Sequence, residues 1–277
     1  MNHLQDIECL IKTLVQSARF HTLVIESPAG WGKSSTLERT LNNLNLQYHA
    51  IGAYVTPLAL YNALIAHPKN ILLLDDCAGL FGDSVGMAIL KAAAWASAGS
   101  HGERVVAWSS TSERVTHPSM AFAGKIILLA NSIPQGRDTR AFLSRALYLQ
   151  IRFDGDQAAE MIKEASTHRE YFEDQGIAEQ VAAFLSERAR RSEIQAINLR
   201  TLQMGYDLAR TNPETWQVLL EKLVPRSDPK AVLEDLARSD LSVEEQSREF
   251  SRLTGLSRRT FFKYRKKAEP LDLAVWE

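Results

Sequence analysis

Eight consecutive residues, Ser27-Pro28-Ala29-Gly30-Trp31-Gly32-Lys33-Ser34, combine two glycines, a lysine and a hydroxyl in a spacing suited to holding phosphate. They follow the apolar run Leu23-Val24-Ile25 and lead through Ser35 into a helix-compatible segment. In a strand, glycine loop, helix arrangement the backbone N–H groups turn inward and the helix N-terminus adds positive potential. Lys33 would reach the β and γ phosphates of a bound nucleotide, and the Ser34 hydroxyl would ligate Mg²⁺. Gly30 and Gly32 permit the backbone angles and the close approach. Ser27 occupies the place where the usual Gly-x-x-x-x-Gly-Lys-Ser pattern has its first glycine. For this motif alone, a simple strand-to-helix turn is the plain alternative.

A second constellation follows downstream. Asn70-Ile71-Leu72-Leu73-Leu74-Asp75-Asp76 has the pattern of a buried strand ending in two carboxylates. The carboxyl end of a strand in an open α/β sheet is where ligands bind. Asp75 would hold the Mg²⁺ shell, and Asp76 would orient or deprotonate an attacking water. Together the two motifs describe a site for ATP and Mg²⁺.

The elements that must position these residues alternate. Residues 1–153 carry short apolar runs at 22–26, 48–51, 71–75, 105–109, 125–130 and 147–153, with helix-like segments near 33–44, 57–66, 84–98 and 138–146. That alternation predicts a parallel α/β sheet covered on both faces. From 154 to 225 the pattern is amphipathic and helical, with Ile177, Val181, Phe184 and Leu185 at helical spacing. The stretch 224–229 contains two prolines and predicts a linker; residues 226–277 form a third, helical segment.

The resemblance that emerges is to AAA+ ATPases. Pro28-Ala29-Gly30-Trp31-Gly32-Lys33-Ser34 looks like their form of the Walker A loop. Lys125-Ile126-Ile127-Leu128-Leu129-Ala130-Asn131 resembles the strand ending in the polar residue called sensor 1. Ala141-Phe142-Leu143-Ser144-Arg145-Ala146 resembles the segment carrying the arginine finger in clamp loaders, and Asn198-Leu199-Arg200-Thr201-Leu202 lies where such proteins carry sensor 2. The resemblance covers residues 1 to about 225. It implies that Asn131 contacts the lytic water or γ-phosphate, that Arg200 reaches the γ-phosphate in its own subunit, and that Arg145 reaches a neighbour's nucleotide. Arg137 and Arg140 are rival fingers, and Arg145 and Arg200 could instead be surface arginines in weak ion pairs. Asp76 is one methylene shorter than the family's usual Glu. The resemblance also implies self-association into a ring or helical oligomer.

Two further segments bear on nucleic acid. The run 104–110, a polar stretch and 122–125 could form a β-hairpin of the sort with which related motors grip DNA, or a plain extra strand. In the tail, Ser242 caps a helix with early acids, Thr254-Gly255 supplies a turn, and Ser257 caps a second helix. This helix-turn-helix layout resembles that of many bacterial DNA-binding domains. Residues 258–267 hold six basic side chains and no acid: Arg258, Arg259, Lys263, Arg265, Lys266 and Lys267. They are the candidate DNA contacts, with Leu256, Phe261 and Phe262 packing inward. A solvated basic helix end is the alternative.

Bulk composition is that of an ordinary globular chain: 277 residues, 45% hydrophobic, 23% charged and a formal net charge of -1. No apolar run approaches the ~20 residues that span a bilayer. Cys9 and Cys77 lie far apart without metal-ligand spacing. The N-terminus lacks the layout of a signal peptide, so a cytoplasmic protein without a membrane partner is expected. The fold expected is a parallel-sheet AAA+ core, an all-α lid and a C-terminal helix-turn-helix. The activity expected is ATP hydrolysis by an oligomer that remodels, translocates on or loads factors onto DNA. An ATP-switched initiator or regulator with little turnover is the alternative, and a protein remodeller whose tail binds a partner is a third.

Overall fold

The computed structural model describes residues 3–96, 100, 102–108, 117–169, 171–189, 197–224, 229–237, 239 and 241–268. The chain divides into two compact units, Met1–Arg152 and Phe153–Glu277.

In chain order the first unit contains α1 (His3–Gln16), β1 (Thr22–Glu26), α2 (Lys33–Asn43), β2 (Tyr48–Gly52), α3 (Pro57–Ala66), β3 (Ile71–Asp75), a short 3-10 helix (Ala78–Gly82) and α4 (Ser84–Ala94). Then come β4 (Arg104–Ala107), β5 (Ser119–Phe122), β6 (Lys125–Ala130), α5 (Arg137–Leu143) and β7 (Leu147–Gln150). Five strands make a parallel sheet in the order β2-β3-β6-β1-β7. Its three central strands are nearly all buried, whereas the edge strands β2 and β7 contain half-buried and exposed residues. Unbroken apolar runs are what strands covered on both faces require. On one face Val24, Leu72, Leu74, Ile126 and Leu128 join residues of α3 and α4 in a single core.

The run expected as a strand at 105–109 lies outside this sheet. It is β4, Arg104–Ala107, and it pairs antiparallel with β5; residues 109–116 lie outside the described part. The two strands pair as a hairpin whose second strand, Ser119–Phe122, ends where the expected 122–125 begins, so that Lys125 belongs to β6 of the parallel sheet; of the basic residues, Arg104 faces inward. Arg104 is 2% exposed, donating to the carbonyls of Ala93 (2.8 Å), Gly102 (2.7 Å) and Gly124, with Phe122 4.8 Å beneath its guanidinium. Lys125 donates to the carbonyls of Ser17 (2.6 Å) and Phe20 (2.9 Å). A guanidinium that satisfies three backbone carbonyls is a structural clasp, so Arg104 cannot grip a polymer while these bonds last.

The elements of the second unit are all helices among its described residues: α6 (Gly155–Ser166), α7 (Gln175–Ala189), α8 (Leu199–Thr211), α9 (Trp216–Leu223), α10 (Pro229–Ala237), α11 (Val243–Thr254) and α12 (Arg258–Ala268). Asp154 with Gln157, Asn198 with Thr201 and Ser242 with Glu245 form capping boxes that start α6, α8 and α11. Of the linker expected at 224–229, Val224 caps α9 and Pro229 is the first residue of α10. Residues 225–228 lie outside the described part. The last three helices bury Val232, Leu233, Leu236, Phe250, Leu253 and Phe261 against one another. No helix of the described residues is long and apolar enough to cross a membrane.

Candidate nucleotide site

Parallel register brings the candidate residues to one edge. Glu26 of β1 lies beside Ala130 of β6, and Asp75 of β3 lies beside Leu129. The residues that follow, Ser27, Asn131 and Asp76, therefore leave the sheet together at its carboxyl end. Two backbone bonds keep them level, Ser27 N–H to Ala130 O and Asp76 N–H to Leu129 O, each 3.1 Å.

The loop 27–32 turns sharply into α2. Gly30 has φ 80° and Gly32 φ 78°, left-handed angles that a Cβ would penalise. Gly32 is the N-cap of α2 and has no side chain to satisfy the helix's first amides. Those amides and the positive end of the helix are the elements of an anion cradle. Lys33, the first residue of the helix, is 8% exposed, and its ammonium donates to Ser27 O (3.1 Å) and Pro28 O (3.5 Å). Ser27 and Trp31 are buried, Pro28 and Ser34 half-buried, and Ala29 exposed. Ser35 is exposed, its hydroxyl donating to Gly32 O at 3.0 Å.

The three motifs meet in a hydrogen-bonded chain. Lys33 Nζ donates to Asn131 Oδ1 at 2.6 Å, and Asn131 Nδ2 donates to Asp76 Oδ1 at 3.1 Å. Asp76 has φ 58°, a left-handed angle rare for residues with a side chain but tolerated by Asp. Asp75 is half-buried and Asp76 exposed. Among the described residues no three His, Cys, Asp or Glu side chains cluster as a protein-only metal cage. One or two carboxylates and a hydroxyl beside a phosphate cradle suit Mg²⁺, which takes its remaining ligands from water and phosphate. Ser34 at the start of α2 and Asp75 at the end of β3 are a hydroxyl and a carboxylate of that kind.

The arginines fall elsewhere. Arg145 follows α5, half-buried, with Nη1 3.4 Å from Lys91 O. Its rivals Arg137 and Arg140 are exposed on α5. Arg200 is exposed in the first turn of α8, in the second unit. In the tail, Gly255 (φ 70°) caps α11 and lets the chain reverse into α12, where Ser257 Oγ accepts from Thr260 N–H at 3.3 Å. Phe261 is fully buried, but Phe262 is 41% exposed, contrary to the expectation that it packs inward. Position 262 follows 261 by about 100° around the helix and so leaves the core face. Arg258, Arg259, Lys263 and Lys266 are exposed and Arg265 is half-buried; the Lys267 side chain lies outside the described part. Arg258 pairs with Glu244 at 3.1 Å.

Sequence patterns did not single out Glu26, which is 3% exposed and held by Tyr148, Gln150 and Arg152. The available signal was an acid closing an otherwise uncharged strand.

No family model matches the chain. A bacteriophage T4 protein described as an uncharacterized 36.7 kDa protein of the nrdC-mobD intergenic region is 23% identical over 223 residues, 73% of this chain and 67% of its own length. Among solved structures, a mutant of the Thermotoga maritima RuvB protein superposes with a TM-score of 0.51 at 11% identity, over 96% of this chain and 86% of that one. Domain III of the replication initiation protein DnaA from the same organism gives 0.45 at 16% identity, over 80% and 92%. The RuvB likeness, together with the sheet order and the loop after β1, assigns the architecture: this chain has the α/β fold of the AAA+ P-loop ATPases.

Proposed function

We propose that this protein is a Mg²⁺-dependent ATPase that works as an oligomer on DNA. The observation that carries the ATPase reading is the Lys33–Asn131–Asp76 chain at the carboxyl edge of the sheet, beside the loop that turns at Gly32. In this reading Lys33 exchanges loop carbonyls for phosphate oxygens, and Ser34 and Asp75 hold Mg²⁺. Asp76, oriented by Asn131, receives the proton of the attacking water. Arg200 and Arg145 supply further positive charge, Arg145 from a neighbouring subunit, where it stabilises the transition state.

The DNA reading rests on the tail. Residues 154–225 form a helical lid and 226–277 a separable DNA-binding module. Arg259, Lys263 and Lys266 are exposed on α12 while Phe261 anchors the helix from its other side. That is a recognition-helix layout, with cations available to phosphates and base edges. Removing residues 228–277 should sharply weaken DNA binding, followed by fluorescence anisotropy, while basal ATPase activity survives. Equal affinity of the truncated chain would make the tail a protein-contact module.

One observation favours a second reading, a nucleotide-switched DNA-binding protein with little turnover. The candidate base is an aspartate whose carboxylate is already engaged by Asn131. Measuring ATPase rates with single-stranded, duplex, forked and no DNA separates the two. Strong stimulation supports a motor, and ATP-dependent binding with negligible turnover supports a switch.

A further inference from the structure

A carboxylate is buried one residue ahead of the phosphate loop. Glu26 is the last residue of β1, and Ser27, whose carbonyl accepts from Lys33, comes next. In the β1–β7 register Gln150 lies beside Glu26, and Tyr148 and Arg152 flank Gln150 two residues away on the same face. All three reach the acid. Tyr148 OH donates to Oε2 at 2.5 Å, Gln150 Nε2 to Oε2 at 3.2 Å, and Arg152 Nη2 to Oε1 at 2.9 Å. The backbone adds a bond from Ile151 N–H to Glu26 O at 2.7 Å.

A fixed negative charge at the root of a loop that gathers phosphates opposes the loop's function unless something neutralises it. Desolvation pushes the Glu26 carboxyl up, but the bonds from Tyr148, Arg152 and Gln150 outweigh it and leave the group below its ordinary range. The acid is therefore ionised at neutral pH. Tyr148 and Gln150 satisfy its lone pairs without supplying charge. Arg152 supplies it.

We propose that Arg152 is a positioning residue for nucleotide binding, which, by pairing with Glu26, cancels the field of a buried carboxylate at the root of the phosphate loop. This rests on the phosphate-loop reading above. Arg152 is also the last residue of the first unit.

Calorimetry with Mg²⁺-ATP on the full chain tests this in two backgrounds. Arg152→Met keeps the stem and loses the charge; it should weaken binding about tenfold, as one uncompensated charge near the phosphates would. Arg152→Lys should retain most of the affinity. In the Glu26→Gln background the same Arg152→Met change should cost less than about twofold, because there is no charge left to cancel. An equal loss in both backgrounds would make Arg152 a packing residue and overturn the proposal, as would wild-type affinity in Arg152→Met. Should Glu26→Gln not fold, the contrast between Arg152→Met and Arg152→Lys decides alone, equal affinities counting against the proposal. Failure of the wild-type chain to bind Mg²⁺-ATP would instead remove the phosphate-loop reading itself.

Discussion

Lys33 and Asn131 are joined by a 2.6 Å hydrogen bond although 98 residues separate them in the chain. The bond links the loop after β1 to the end of β6, and through Asn131 Nδ2 it extends to Asp76 after β3. Lys33→Ala should abolish ATP binding by calorimetry, because the cradle loses its main cation. Asn131→Ala should leave ATP affinity within a few-fold and slow turnover by about 10²-fold, the usual loss for one preorganised polar contact. Unchanged turnover would reduce Asn131 to a spacer.

Asp76→Asn should preserve ATP binding and slow hydrolysis by about 10²–10⁴-fold, because a carboxamide keeps the shape but is a poor base. Asn tolerates the left-handed backbone at this position as Asp does. The thermal midpoint should therefore stay put, which separates a chemical defect from a folding one. A single-turnover rate equal to wild type would send the search to another acid.

Arg145→Ala should leave ATP binding in its own subunit intact and silence the neighbour's site. Mixing it with Lys33→Ala subunits should recover part of the activity, since an interface with an intact Arg145 facing an intact Lys33 site then forms. If Arg145→Ala alone is fully active, the trans role passes to Arg137 or Arg140.

The first unit should lose stability in mild acid through His21. Burial, with Arg104 and Lys125 nearby, lowers the His21 pKa to about 4 from 6.5. The folded state thus keeps the imidazole neutral while the unfolded chain takes up a proton. Its contribution is fully present above pH 6.5 and is lost as the pH falls towards 4. The change is on the order of 1–3 kcal/mol. Urea titrations at about pH 7.5, 6, 5 and 4 would show it, and His21→Gln should flatten that part of the curve. The same loss of stability in both proteins would place the acid sensitivity elsewhere.

Local patterns decided much about this protein. The apolar runs at 22–26, 71–75 and 125–130 are long enough to declare buried strands. The turn at 27–34 is legible because its glycines are adjacent in the chain to the helix they open, and Ser242, Gly255 and Ser257 mark helix ends because caps act within three or four residues. Tertiary structure alone decided which strands are neighbours. Only the order β2-β3-β6-β1-β7 sets Asn131 between Lys33 and Asp76 and lays Gln150 and Arg152 against Glu26. The same holds for Arg104: a basic residue opening a strand has the local pattern of a surface cation. Its burial depends on carbonyls of Ala93, Gly102 and Gly124 and on the ring of Phe122, which the pairing of β4 with β5 and the packing of α4 on β4 bring together. Hydrophobic periodicity reports how each segment meets a core, whereas a hydrogen bond between distant segments depends on the register and crossover that join them.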